Sequence, residues 1–554
     1  MLSLFLLSGC LINTAAYERR LAELRAGEDG AGADDSGAPD DTDDTDDTDD
    51  TDDTDDTDDT DDTGCTPIPV WADADGDGFG NPAFTDERCG DLAGWVENDA
   101  DCDDTDAAVN PDAEEVCGTG VDEDCDGDRV ECRADGEVPV ETANSVLIAG
   151  DAGFGLAAAL GDIDGDGRDD VAMVGPRGLY VFGDPGDGTH ALADISRMVT
   201  NVEPDVYLYR TVATDLDDDG VTELVVSAIQ ESVVGPTRIF WMDTGCSVAT
   251  STADARDTLA YDVPGRAAGF FLSRGTDLSL DGRDEVVVSD LAVEGISYVR
   301  LLQEDNGFLE TDNPVATLEG DLGDAFGYAT AVGDTNGDGV PDLIATAPMA
   351  EGGRGAAYVF EGPLGDRSVF DADSIVFGAE PDDNLGVSVV FAPLLDADGD
   401  GDTDLLVSAW GSSAEVSESG AAYLFTGPLG GTLESEDAVG TYLGAHADAG
   451  MGWTVSAAGD VEGDGREDLL IGAHPSSGND DTGRTYLVYG PGVGTFLEHE
   501  LDVEFSTTSS DSRLGGGPTT AGDVDGDGLG DVLILNQSAA DGLGAAYLFR
   551  GFGP

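Results

Sequence analysis

Asp523, Asp525, Asp527 and Asp531 occupy positions one, three, five and nine of the stretch DVDGDGLGD. Six other stretches fit the same template, acid-x-O-x-acid-Gly-x-x-acid, where O is an oxygen-bearing side chain. They place Asp162, Asp164, Asp166 and Asp170; Asp215, Asp217, Asp219 and Glu223; Asp277, Ser279, Asp281 and Glu285; Asp334, Asn336, Asp338 and Asp342; Asp396, Asp398, Asp400 and Asp404; and Asp460, Glu462, Asp464 and Asp468. Calcium is a hard cation that takes about six to eight oxygens, and alternate residues of a tight loop can aim carboxylates at one centre. The Gly at position six lets the backbone turn sharply around the ion. The chemistry this spacing predicts is Ca²⁺ ligation, about seven ions in all. Ser279 offers only a hydroxyl, so the third loop is expected to be the weakest site, followed by the second, where Glu223 replaces the final Asp.

The elements that must hold these loops are strands. The loops run into β-type sequence such as LGDVLIL, not into a helix, and the last acid falls at position nine, which sets them apart from EF-hands. Their first residues are 53, 62, 57, 62, 64 and 63 positions apart. A repeat of that length containing several short strands is the mark of a solenoid or propeller. Seven near-equal units predict an all-β fold, a seven-bladed β-propeller over residues 140–554, closed on itself so that few strand edges are exposed. After the last loop the chain gives DVLIL and GAAYLFRG, one strand short of a unit, and SVLIAG at 145–150 precedes the first unit. That segment is expected to pair into the last blade.

The balance of charge narrows the partners. Formal net charge is −97, and all 22 basic residues are Arg. Such a chain repels nucleic acid and anionic lipid, and its small partners are cations. Ten bound Ca²⁺ would bring the charge only to −77, so the remaining acidity reads as a solvated surface that resists aggregation. The four His (190, 446, 474, 499) are scattered singly, each expected in a loop, and no HExxH, GxSxG or phosphate-binding fingerprint stands in its required context. Cys246 reads as a buried thiol.

Residues 65–135 differ in composition. Six Cys (65, 89, 102, 117, 125, 132) lie among three acidic loops: Asp73, Asp75 and Asp77; Asp99, Asp101 and Asp103; Asp122, Asp124 and Asp126. Clustered Cys in an exported segment predict three disulfides, with connectivity open. A thiolate–metal site is the competing reading, but paired CxxC spacing is missing. With the phrase AAVNPDAEEVCGTGVDEDCDG, the segment resembles the MopE-type metal-binding module of secreted bacterial proteins, which implies up to three further ions, most simply Ca²⁺. So small a module cannot be held by a core alone, so disulfides and ions should staple it.

The first 64 residues read as an export signal, an anchor and a spacer. Leu7, Ser8, Gly9 and Cys10 follow a short apolar run and resemble a bacterial lipobox, which implies a signal peptide over residues 1–10 and lipidation of Cys10; no basic residue precedes the run. Leu11 in place of Asp implies sorting to the outer membrane. No stretch approaches the roughly 18 apolar residues of a spanning helix, so a lipid would be the only membrane contact. Residues 11–64 read as a short helix at 14–26 and a disordered Asp/Thr linker, with DDT repeated eight times over 40–63.

In the fourth unit Phe326-Gly327 precedes a strand, the loop from Asp334 follows, and Thr346-Ala347-Pro348 ends the next strand. Phe-Gly, acidic loop and Gly-Ala-Pro resemble the FG-GAP repeat of integrin α-subunits, which implies their seven-bladed propeller and calcium loops. Phe-Gly is read as Tyr209-Arg210, Leu385-Gly386, Met451-Gly452 and Leu514-Gly515 in the second, fifth, sixth and seventh units. The resemblance implies a calcium-binding, surface-anchored, monomeric and non-enzymatic adhesion-like protein whose propeller meets an extracellular protein or a glycan. The alternatives are a propeller enzyme acting on extracellular polysaccharide or lipid, and a purely structural or calcium-buffering envelope protein.

Overall fold

A computed structural model describes most of residues 68–552; residues 1–67, 114–124, 126–135, 149–155, 191–196, 202–206, 218–220, 230–236, 245–250, 310–313, 392–401, 475–482, 508–513, 540–543 and some stretches of one or two residues are outside the description. The expectations for Cys10, the segment 11–64, Cys65, Cys117, Cys132, Asp122, Asp124, Asp126, Asp219, Cys246, Asp396, Asp398 and Asp400 fall outside the described residues. What is described separates into two compact units, one up to Cys125 and one from Gly136 onward. No helix among the described residues is long and apolar enough to cross a membrane.

The first unit is a three-stranded sheet with little to bury. Strand Ile68–Ala72 lies between Thr85–Arg88 and Trp95–Val96. Val70 is its buried strand residue, and the Arg88 guanidinium stacks 4.1 Å from the centre of the Trp95 ring. Covalent bonds compensate: Cys102 pairs with Cys125, and Cys89 is also disulfide-bonded.

Among the described residues the second unit contains seven sheets of four or five strands and one two-stranded hairpin, Glu304–Asp305 with Phe308–Leu309. Within each sheet the successive strands pair antiparallel, as Met451–Gly459, Asp468–Ala473, Arg484–Val488 and Val503–Ser506 do in the sixth. The second strand of a sheet is covered on both faces and is therefore largely apolar; Asp342–Ala347, DLIATA, is buried at every residue. Seven apolar clusters fill the spaces between neighbouring sheets. Leu160, Ala172, Phe240 and Met242 join the first sheet to the second, and Leu147, Val171, Phe182, Leu533 and Leu548 join the seventh to the first. The first strands of consecutive sheets also touch, those of the seventh and first included.

The chain reaches the last two sheets before it enters the first. Ser145–Leu147 pairs antiparallel with Ala545–Phe549, opposing Val146 to Tyr547. Gly136–Pro139, ahead of the expected boundary at 140, pairs parallel with Val503–Ser506 of the sixth sheet. The same motif recurs: Arg367–Ser368, Gly431–Glu434 and Gly494–Leu497 each add a parallel strand to the preceding sheet, followed by a 3-10 turn at Val369–Asp371, Ser435–Asp437 and Glu498–Glu500. In five of the seven sheets the outer edge is thereby covered by the chain of another unit, Gly188–His190 doing so for the seventh.

The Phe-Gly pair has a steric cause. Phe326 is fully buried, edge-on to Tyr358 and Phe360. Gly327 has φ +81°, and a Cβ there would lie 2.7 Å from Val299 Cγ2. Leu385, Met451 and Leu514 take the buried place of Phe326 in the later sheets. In the second sheet the buried residue is Leu208, and a bulge separates it from Arg210, so the pair there is Leu208-Tyr209 and not Tyr209-Arg210. A side chain stands where the other units carry Gly.

Candidate metal centres

Among the described residues the first, third, fourth, sixth and seventh acidic loops each link the first and second strands of a sheet and are wound by their own carboxylates. In the seventh loop Asp523 Oδ1 accepts the N–H of Gly526 at 2.7 Å and of Asp527 at 3.0 Å, and Oδ2 accepts that of Gly528 at 2.9 Å. Asp525 accepts from Asp527, and Asp527 from Leu529. The first, fourth and sixth loops share the core of this arrangement through Asp162, Asp334 and Asp460. Position one is thus a turn former as well as a candidate ligand.

The ninth acid is the most enclosed. Asp170, Glu223, Glu285, Asp342, Asp404, Asp468 and Asp531 are all buried. One oxygen accepts the N–H of position two, from Ile163, Leu216, Leu278, Thr335, Val461 and Val524 in the six loops where it is described. The other accepts, in four sheets, from a Gly just past the third strand: Gly362, Gly427, Gly490 and Gly551. No local pattern announces this second clamp, because the glycine is 20 to 23 residues away.

Burial makes these acids hard to ionise. Desolvation, opposed by the N–H of Ile163 and reinforced by Asp164 and Asp166, pushes Asp170 up to about 6. The same cause raises Glu223, Glu285, Asp468 and Asp531 to about 7. A cation placed among the carboxylates would reverse that balance.

Five groups of side chains converge closely enough to share one ion, their oxygens within 4.8 Å of one another: Asp162, Asp164 and Asp170; Asp215, Asp217 and Glu223; Asp277, Asp281 and Glu285; Asp523, Asp525 and Asp531; and Asp73, Asp75 and Asp77 in the first unit. The fourth and sixth loops share the fold, but no group of three acids there meets that distance among the described residues; in the fourth, Asn336 replaces an acid. Asp166 and Asp527 turn to backbone N–H groups and stand outside their groups. Asp217 Oδ1 and Asp77 Oδ2 are buried without a hydrogen-bond partner. All-oxygen, acid-rich sets with such orphaned atoms fit a hard divalent cation.

Two loops carry a basic neighbour that sequence reading missed. Arg256 contacts Asp217 and stacks 4.2 Å from the Trp241 ring centre, and Arg550 lies 3.3 Å from Asp525. Loops of adjacent sheets are also joined: Asp169 donates its N–H to Asp523 O, Thr403 to Asp334 O and Gly530 to Asp460 O. In the first unit Asp99 and Asp103 are exposed, whereas Asp101 is buried and accepts from the N–H of Asp103. The histidines are not all in loops: His190 ends a strand, His499 lies in a 3-10 turn, and His446 contacts Glu498.

The chain carries FG-GAP repeats, matched at residues 326–360 and 451–488, and the MopE-type family described as "Putative metal-binding motif", matched at residues 101–129. It is 30% identical over 232 residues to integrin alpha-PS3 of Drosophila melanogaster, covering 41% of this chain and 20% of that one. It is 26% identical over 227 residues to integrin alpha pat-2 of Caenorhabditis briggsae, covering 38% and 18%. A phosphatidylinositol-glycan-specific phospholipase D of Bos taurus is 32% identical over 190 residues, covering 32% and 22%. The matches span about a fifth of these relatives' own length.

Proposed function

We propose that this is a calcium-loaded, seven-bladed propeller acting as a non-enzymatic, adhesion-like platform at a cell surface, with the preceding module holding further Ca²⁺. The observation that carries the reading is the repeated convergence of oxygen-only ligands in loops that buried acids clamp to the sheets. Seven sheets, seven clusters between them and the pairing of Ser145–Leu147 with Ala545–Phe549 support a closed ring. Similarity to integrin α-chains supports a platform for an extracellular protein or glycan. Cys10 would supply the lipid anchor, in an outer membrane or on the cell surface. An enzyme acting on extracellular lipid or polysaccharide is the second reading, favoured by the phospholipase D relative.

The test is thermal unfolding of the full chain in millimolar Ca²⁺ and in excess chelator, with bound ions counted by calorimetry. Ions that bind only the folded state raise the melting temperature. About seven to ten ions and a large upward shift are expected; no shift and no binding would leave the loops as metal-free turns and end the calcium reading.

A further inference from the structure

Acids outnumber bases 119 to 22, and arginines here generally find carboxylates: Arg256, Arg266, Arg300, Arg354, Arg367 and Arg484 all do. Arg210 does not. Among the described residues it has no acidic partner; its Nε donates to Phe270 O at 3.1 Å, and its guanidinium lies 4.1 Å from the Phe271 ring centre and 5.6 Å from that of Tyr209. The Tyr209 and Tyr328 phenols are also beside it, and burial holds its pKa below the ordinary guanidinium value.

Tyr209, Phe270 and Tyr328 form a row across the second, third and fourth sheets, with ring centres 5.4 Å apart at each step, and all three are partly exposed. Tyr209 and Arg210 sit near the start of strand Tyr207–Thr214, and Tyr328 just ahead of Thr330–Gly333. The metal loops follow the far ends of those strands, at Asp215 and Asp334. The row therefore lies toward the end of the first strands that is remote from the ions. The extra side chain at Tyr209, where other units carry Gly, is what extends it into the second sheet.

The polar groups converging here are a guanidinium and two phenols, all able to donate, with no carboxylate competing among the described residues. A guanidinium fork matches a carboxylate in two parallel hydrogen bonds, and partly exposed ring faces take the polarised C–H face of a sugar ring. A row spanning three sheets suits a ligand longer than one ring. We propose that Arg210, Tyr209, Phe270 and Tyr328 bind a uronic-acid residue of an acidic glycan, the carboxylate on Arg210 and the sugar ring on the aromatic row. This rests on the platform reading above and names its ligand class.

The experiment is calorimetry on the full, calcium-saturated chain, with a glucuronate-containing tetrasaccharide, its methyl ester and a short acidic peptide as probes. The free acid should bind at least tenfold more tightly than the ester. Arg210→Gln should erase that preference, Arg210→Lys should keep only part of it, and Tyr328→Ala should weaken both sugar forms. Melting temperatures in calcium show that each variant is folded, and if Arg210→Gln fails to fold, Arg210→Lys decides. Equal affinity for acid and ester, a preference unchanged by Arg210→Gln, tighter binding of the peptide, or no binding by a chain that responds normally to calcium would each overturn the assignment. Tetrasaccharide binding without a calcium response would sink the metal reading and leave this one standing.

Discussion

Asp531→Asn separates the two roles of the ninth acid. In the wild type Oδ2 accepts from Val524 N–H and Oδ1 from Gly551 N–H, each at 2.8 Å, and the residue is fully buried. Desolvation, opposed by those two N–H groups and reinforced by Asp525 and Asp527, raises its pKa from 3.8 to about 7. At pH 8 without a cation, keeping it ionised in the fold therefore costs on the order of 4 kcal/mol relative to the unfolded chain. Asn removes that cost. Its amide has a single acceptor oxygen, however, so one backbone N–H loses its partner, a loss of about 1–3 kcal/mol. In chelator the variant should be as stable as the wild type or more so by about 1–3 kcal/mol. In calcium the order reverses, because the wild type gains about 2.7 kcal/mol from this site at a hundredfold excess over Kd, while the variant binds one ion fewer. Denaturant unfolding at pH 8 with and without Ca²⁺ measures both. A variant that keeps the full calcium gain, or one several kcal/mol weaker in chelator, would refute the reasoning.

Other outcomes follow from the same geometry. Desolvation raises the folded-state pKa of Asp170 to about 6 and those of Glu223, Glu285, Asp468 and Asp531 to about 7, so the folded state holds these protons more tightly than the unfolded chain does. That contribution to stability is present below the unfolded values and is lost as pH rises through about 6 to 7, so the metal-free melting temperature should be lower at pH 8 than at pH 5.5, with the gap narrowing in Ca²⁺. A metal-free melting temperature that climbs over this range would contradict the burial of these acids. Phe326→Ala empties a fully enclosed ring site and should cost about 3–5 kcal/mol in denaturant unfolding, with little change in ion count. Reducing the Cys102–Cys125 bond, whose partners are 23 residues apart, should cost the first unit about 3 kcal/mol and loosen any ion held by Asp73, Asp75 and Asp77; calorimetry on the reduced chain reads both.

The acidic loops were legible because their information is local: nine residues contain the turn-forming acid, the Gly and the buried acid. The strands after them were legible for a related reason, since a strand covered on both faces must be apolar over most of its length. The second Phe-Gly pair was misread by one residue because the bulge there is occupied by Tyr209, and no glycine marks it. Arg367–Ser368 and Gly431–Glu434 escaped notice because a two- to four-residue polar strand has neither alternation nor β-branched content; only the neighbouring sheet makes it a strand. The clamp from Asp531 to Gly551, the bond from Asp169 to Asp523 and the row from Tyr209 to Tyr328 join residues far apart in the chain, and no sequence pattern announces such meetings.

Ser145–Leu147 and Ala545–Phe549 also bear on how the molecule reaches its native state. Val146 waits for a partner about 400 residues further along the chain, the longest-range strand pairing among the described residues and the one least able to form early. Until it forms, Ala545–Phe549 presents an open strand edge that accepts any copy of SVL offered in the same register. The segment behaves as a latch, and at high concentration a latch from a second chain would serve as well as its own. Refolding from denaturant should accordingly yield strand-exchanged dimers whose share grows with protein concentration, while dilute refolding returns monomer.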